Sequence, residues 1–452
     1  MSTTKSSSKP NQFVPYTSDL EEELLREMGL NSFGDLIQVI PRDLRLDGGL
    51  PLPRGKSEPD IVREMKFTAG RNSTSEQLIS FLGGGSYDHF VPEAVSYLSS
   101  RAEFSTSYTP YQAEVSQGTL QAIYEYQTMI CEITAMEVAN ASLYDGASAV
   151  AEACLLARRV NGRPVVLVSD GLYSEYRMVL ETYTRYSPLK VESIPLNSGV
   201  TDMDWLRDRN DDDVSAVVIQ SPNRLGLMES WREAGRIVSG LPALFVAVGD
   251  PISFGMFAPP GECGADVYAG EGQGLGSYVS FGGPYLGLLA TRMEYVRKVP
   301  GRLVGEAKDI EGKPGFVLAL QTREQHIRRD RATSNICTNQ GLVALKAAIY
   351  LALLGKEGFK KVANLCFQKS HYASRKILEI PGFSLPYGDR FFQEFVVKCP
   401  VPVETLLAEG LRKGLLVGTP VKDDSHLLMI AVTEQRSKED IDSLVSFLKG
   451  NK

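Results

Sequence analysis

The chain reads as an α/β protein whose large domain is built on a mainly parallel sheet, with a helical arm before it and a smaller α/β domain after it. Three observations lead to that class. From about residue 85 helical and strand-like segments alternate, the strand-like ones are short, Val/Ile-rich and end in polar residues or glycine, and the last hundred residues form a separate helix-and-strand group. With 452 residues, 43% of them hydrophobic, the chain can bury a large core. Lys and Arg total 48 against 55 Asp and Glu, a net charge of −7, and no basic run interrupts this mild acidity. Nucleic acid and anionic membranes are therefore not expected as partners. Apolar runs such as LPALFVAV and AAIYLALL stop at eight residues, far short of the ~20 that span a bilayer. Six cysteines (Cys131, Cys154, Cys263, Cys337, Cys366, Cys399) lie far apart, without the paired spacing of a zinc site. They read as reduced thiols of a cytoplasmic protein.

Taken in order, residues 1–15 are Ser/Thr/Lys/Pro-rich and aperiodic, a flexible tail. SDLEEELLREMGL follows, with Ser18 or Asp19 as cap, acids in the first turn and Gly29 as stop, so a helix is expected. NSFGDLIQVIP repeats the pattern between Asn31 or Ser32 and Pro41, and SEPDIVREMKFTAGRN leads into the main body. Residues 1–84 thus form a tail and arm that wraps over something rather than a self-sufficient core. Residues 85–330 form the large domain, with strands expected at PVVLVSD, KVESIPL, VSAVVIQSP, LFVAVGD and ADVYAG and helices at GTLQAIYEYQTMICEITAM and SAVAEACLLARRV. In such sheets ligands bind beyond the carboxyl ends of the strands, which brings Asp170, Gln220, Ser221 and Asp250 forward. Residues 331–452 form the small domain, opening with the long apolar helix of NQGLVALKAAIYLALLG and continuing through RFFQEFVVKCP and HLLMIAVTEQ.

The residues restrict the chemistry. There are four histidines, His89, His326, His371 and His426, and none stands in a G-x-S-x-G context or in a metal-ligand pair. No phosphate-loop signature is present, and FLGGGSYDHF lacks the strand-then-helix setting of a dinucleotide fingerprint. Its glycines read first as turn formers, part of an excess in which Gly reaches 41, against a usual ~7%. Many pyridoxal-phosphate enzymes share this architecture and hold the cofactor by a Schiff base to a lysine near a strand end. Between Lys66 and Lys298 only Lys190 occurs, at the start of a strand, and the stretch after ADVYAG reads EGQGLGSYVSFGGPYLG. The chain cannot form that bond at the expected place, so a fold of this class is either degenerate or needs a partner that brings the cofactor.

Three segments, FLGGGSYDHFVPEAV, the run from EFSTSYTPYQAEVSQG through ANASLYDGASAVAEA, and RATSNICTNQGLVAL, resemble the P-protein of the glycine cleavage system, the decarboxylating glycine dehydrogenase. The resemblance is to the amino-terminal half, which in many prokaryotes is a separate subunit, and it runs from FVPYTSDLEEELLREMG to the last helix. It implies an aminotransferase-like fold, pyridoxal-phosphate fold type I, in both halves, with the Schiff-base lysine only in the other subunit. A heterotetramer with the active site at the subunit interface follows, in which glycine is decarboxylated through pyridoxal phosphate and the aminomethyl group passes to the lipoyl arm of the H-protein. The chain alone should be inactive, with no catalytic residue of its own. Alignment to the lysine-bearing half puts Gly274 about where the lysine would stand, and makes Asp250 a remnant of the aspartate that holds the pyridine nitrogen.

On this resemblance, Thr333, Ser334 and Asn335 precede a long helix, a location suited to binding the partner's cofactor phosphate through helix amino-terminal amides, with Thr333 leading. The alternative is a plain helix cap. Tyr108, Tyr111 and Gln117, with Gly84 and Gly85 nearby, suit a channel for substrate or lipoyl arm; interface packing is the alternative. His89 is a weaker candidate, since Asp88 beside it can make it a surface pair. Two other readings remain: a stand-alone pyridoxal-phosphate enzyme with an unexpected lysine, and a non-catalytic scaffold or regulatory pseudoenzyme.

Overall fold

The computed structural model describes residues 17–46, 50–74, 77–209, 212–336, 338–422 and 424–451. The tail expected over residues 1–15 lies outside them. Contacts divide the chain into two units, Met1–Asn72 and Ser73–Lys452.

The first unit carries three helices, α1 (Ser18–Glu27), α2 (Phe33–Leu36) and α3 (Glu58–Ala69). Thr17 rather than Ser18 or Asp19 caps α1, because its hydroxyl is the one that accepts the Leu20 N–H; Ser32 caps α2 through the Asp35 N–H. Only Leu25 is buried in these helices, while Phe33, Met65 and Phe67 stay exposed. Such a unit has little core of its own.

The second unit is organised by a seven-stranded sheet of β1 (Val138–Ala139), β2 (Val165–Ser169), β3 (Lys190–Ile194), β4 (Val214–Gln220), β5 (Leu244–Val248), β6 (Val267–Glu271) and β7 (Gly287–Thr291). Their spatial order is β1-β7-β6-β5-β4-β2-β3, with β7 antiparallel to both neighbours and the rest parallel. The five Val/Ile-rich strands fall where the sequence predicts them. Residues of β2, β4 and β5 are buried throughout, as expected of a parallel sheet covered on both faces. Side chains alternate between the faces: Val166, Val168, Val218 and Val246 join one core with helix α5 (Gly146–Asn161), and Val165, Leu167, Val217 and Phe245 join another with Trp231. A third core packs α4 (Gln117–Thr134) and α6 (Gly341–Leu378) against Tyr268 and Leu288. A hairpin of β8 (Leu303–Lys308) and β9 (Pro314–Ala319) lies against α4.

Toward the carboxyl end, β10 (Glu394–Lys398), β11 (Thr419–Pro420) and β12 (Leu427–Ala431) form an antiparallel sheet in the order β10-β12-β11, with α7 (Val403–Arg412) and α8 (Lys438–Gly450) in the same core. Ile79 and Ser80 pair in parallel with Leu415 and Leu416, which ties the segment before the three glycines to this part of the unit. Among the described residues no helix is long and apolar enough to cross a membrane.

Candidate functional site

The carboxyl ends of the parallel strands converge where ligands bind in such sheets. Tyr173 and Tyr176 follow β2, Gln220 ends β4, Asp250 follows β5, and Glu271 ends β6; Gly85 and Tyr87 close the cleft from the three-glycine segment. Of the strand-end residues expected there, Gln220 and Asp250 arrive. Asp170 instead pairs with Arg177, and the Ser221 hydroxyl accepts the Glu229 N–H.

This cleft is filled by the chain itself. Glu394, first residue of β10, accepts the Gly84 N–H at 2.6 Å and the hydroxyls of Tyr87 at 3.3 Å and Tyr173 at 3.4 Å. The two phenols lie 2.9 Å apart. A Cβ on Gly83 would stand 2.1 Å from the Glu394 carboxylate, and Gly85 adopts φ +104°, so this approach requires glycine. Burial pushes the Glu394 carboxyl up to about 7. Glu271 rises to about 7 for the same reason, against three backbone N–H donors, those of Gly146, Gln273 and Leu286, that favour its charged form. The Asp250 carboxylate is spent on the Ile252 N–H at 3.0 Å and the Gln393 amide at 2.8 Å.

His89 is not a surface residue: it is 3% exposed, and its Nδ1 lies 2.7 Å from Glu434, while Asp88 pairs with Arg436 instead. Burial pulls the imidazole pKa down, but the Glu434 carboxylate outweighs it and the net shift is upward; Glu434, despite its own burial, is held at about 2 by the histidine. The ring lies against Gly274, where a Cβ would come within 2.9 Å of it. The free space left in the cleft is ≈20 Å³, room for about one water. Pyridoxal phosphate therefore does not fit here. No lysine lines it among the described residues, the His89 ring is packed against Gly274, both Asp250 carboxylate oxygens are hydrogen-bonded, and the free space is small.

A second, roomier cavity of ≈280 Å³ opens before the first turn of α6. Phe104, Tyr108 and Ile123 supply apolar wall, and Arg302, Thr338 and Asn339 supply a polar end. Arg302 precedes β8, is 5% exposed, and donates through Nη2 to the Tyr111 hydroxyl at 3.2 Å and through Nη1 to Asn339 Oδ1 at 3.4 Å. Its nearest carboxylate, Glu324, is 3.6 Å from Nε. Asn339 is fixed in turn by donating to the Ala141 carbonyl and the Ser142 hydroxyl.

The residues singled out from sequence divide between these places. Tyr108 lines the second cavity and Tyr111 touches its arginine, whereas Gly84 and Gly85 belong to the filled cleft. Gln117 has its amide paired with both backbone groups of Phe316, bracing α4 against β9. Thr333 donates its N–H to the Arg323 carbonyl, Ser334 donates to Glu152 at 2.6 Å, and Asn335 is exposed. Cavity-lining positions come a few residues later, at 338–342. Sequence reasoning did not find Glu394, Tyr173, Glu434 or Arg302. The one signal was an acid inside the apolar run RFFQEFVVKCP, which a half-buried strand does not need.

Comparison with known proteins adds a family. The family model described as "Glycine cleavage system P-protein" matches residues 11–448. A chain of Chlorobium limicola described as "Probable glycine dehydrogenase (decarboxylating) subunit 1" is 49% identical, covering 96% of this chain and 99% of that one. Its counterpart in Moorella thermoacetica, with the same description, is 45% identical over 97% and 99%. A crystal structure of glycine decarboxylase (P-protein) of the glycine cleavage system, in inhibitor-bound form, superposes with a TM-score of 0.89 at 43% identity, covering 97% of this chain and 100% of that chain. Lactobacillus brevis glutamate decarboxylase superposes at 0.67 with 13% identity, a likeness of fold alone.

Proposed function

The chain belongs to the glycine cleavage system P-protein family, and from that premise we propose that it serves in the cytoplasm as the subunit without cofactor lysine of a two-chain glycine dehydrogenase (decarboxylating). The partner subunit holds pyridoxal phosphate covalently, and glycine and the lipoyl arm of the H-protein meet the cofactor at the interface. When bound there, pyridoxal phosphate would supply the electron sink for the pair left on the glycine Cα as CO2 departs, and the aminomethyl group would then go to the lipoyl disulfide. The observation that carries this reading is the filled cleft, where His89 and Glu394 occupy the room a cofactor needs.

This chain's contribution is then a wall rather than a reactive group. Residues 338–342, which run into the first turn of α6, face the partner's site in this reading, and the first-turn amides suit the cofactor phosphate, whereas the Thr333 N–H is already given to the Arg323 carbonyl. Ser334, tied to Glu152, anchors the loop, with Thr333 and Asn335 beside it. Tyr108 and Tyr111 line the passage for substrate or lipoyl arm and keep water from it. Gly84 and Gly85 act on the filled cleft instead, Gly84 by giving its N–H to Glu394.

Co-expression with a lysine-bearing subunit 2 tests the proposal. Exchange of labelled CO2 into the carboxyl of glycine should require both chains. If subunit 2 alone exchanges at the full rate, a scaffold or regulatory role replaces this reading.

A further inference from the structure

The second cavity holds a cation whose donors are not used up. Arg302 carries five N–H bonds, yet its hydrogen bonds are the two long ones to Asn339 and Tyr111, both neutral acceptors. Its Nε faces Glu324 at 3.6 Å, a buried ion pair that balances the charge but is too long for a hydrogen bond. The charge is thus paired within the chain, and what remains unspent is hydrogen-bonding capacity on the two Nη groups, each of which makes one bond. The same cavity ends at the amino terminus of α6, where Gln340 provides no side-chain cap and the first-turn amides have no partner within the helix. Helix amides and a planar five-donor fork are both complementary to oxyanions. Much of the rest of the lining, Phe104, Tyr108, Ile123 and Leu345 among it, is apolar, with Ser107, Thr109 and Thr119 interspersed, and a covering partner that excluded water would strengthen such an attraction.

We propose that Arg302 is an oxyanion-binding residue, which together with the first turn of α6 receives a carboxylate or phosphate group presented from outside this chain. The inference rests on the two-chain reading given above and names the chemistry of the contact that this wall makes. Two sources offer that chemistry: the carboxylate of glycine and the phosphate of the cofactor held by the partner. No bond is made or broken at Arg302; its role is binding and orientation.

The test uses the complex of the full chain with its lysine-bearing partner, prepared without cofactor. Pyridoxal phosphate is titrated by its visible absorbance to give a Kd, and glycine is then titrated into the loaded complex by the spectral change it causes. Arg302→Gln removes the charge, Arg302→Lys keeps charge without the fork, and Thr338→Asp adds a carboxylate at an exposed position on the cavity rim, where it competes for the same donors. In Arg302→Gln one Kd should rise about tenfold or more, the size expected for losing hydrogen bonds to a charged group. A rise for glycine identifies the carboxylate source, and a rise for pyridoxal phosphate the phosphate source. Thr338→Asp should move the same constant in the same direction, and Arg302→Lys should fall between wild type and Gln. Both constants staying within about twofold of wild type in Thr338→Asp, and in Arg302→Gln where it folds, would overturn the proposal. Assembly and glycine exchange by the wild-type complex test the two-chain reading separately.

Discussion

Gly274 and Glu394 decide at single positions what the cleft can hold. Restoring a lysine by Gly274→Lys should not restore cofactor binding, because the new Cβ meets the His89 ring, itself fixed by Glu434. Overpacking of this kind costs roughly 1–3 kcal/mol. The purified variant should therefore lose stability in a denaturant titration and show no visible Schiff-base band with added pyridoxal phosphate; a band would mean that the cleft opens more readily than its packing implies. Glu394 makes a separate prediction about pH. Its carboxyl lies at about 7 in the folded chain against a usual 4.5, so folding takes up a proton between those values. The stability it contributes is full below about pH 4.5 and is lost as pH rises through about 7. Glu394→Gln resembles the protonated acid, accepting from Gly84 and donating toward the phenols. Unfolding free energies between pH 5 and 8 should fall less steeply in that variant than in wild type, although not flatten, since Glu271 shifts in the same direction. Equal slopes would mean that Glu394 is ionised throughout the range.

Helix α6 joins two cores, and its sequence explains why it is not straight. Residues from Val343 to Cys366 pack in the core with α4, while Ala373 and Ile377 at the far end belong to the core of the antiparallel sheet. Within the first of these stretches Gly355 adopts φ +57°, ψ −174°, a conformation open essentially to glycine alone. A Cβ there would meet nothing within 4 Å. The cost of Gly355→Ala is thus backbone strain without a clash, about 1–3 kcal/mol, read as a lower denaturant midpoint with an unchanged slope; no change in midpoint would mean the break is not required. This element also marks how far the sequence was legible. Its apolar first half was plain from periodicity, as were the five parallel strands, since Val/Ile runs ending in Gly or Asp have few other uses. Strands β1 and β7 were not, one being two residues long and the other lying among glycines. Of the site, the missing lysine and the strand-end residues Gln220 and Asp250 were legible. The groups that fill it come from segments as far apart as Gly84 and Glu394, and nothing local in either segment announces the other. Arg302 was illegible for the same reason, because one arginine before a strand becomes notable only when its donors are found unpaired.

For the molecule as a whole, the filled cleft and the open cavity are what the proposed two-chain reading requires, in which assembly is the condition for activity. The cavity carries apolar groups that the chain does not cover: Tyr108 is 79% exposed and Leu342 46% exposed on its rim. Exposed apolar surface around a cavity marks an interaction site, and tyrosine at the centre of an interface is among the residues whose truncation costs most. Tyr108 makes an economical test, because so exposed a side chain contributes little to the fold that carries it. Tyr108→Ala should keep the wild-type circular dichroism and thermal midpoint of the isolated chain. Its association with the lysine-bearing subunit, measured by titration calorimetry or sedimentation, should weaken about tenfold or more. If association is unchanged while glycine affinity of the assembled enzyme falls, Tyr108 lines the substrate passage without contributing to assembly. If neither moves, the cavity does not face the partner, and the wall assigned to residues 338–342 falls with it.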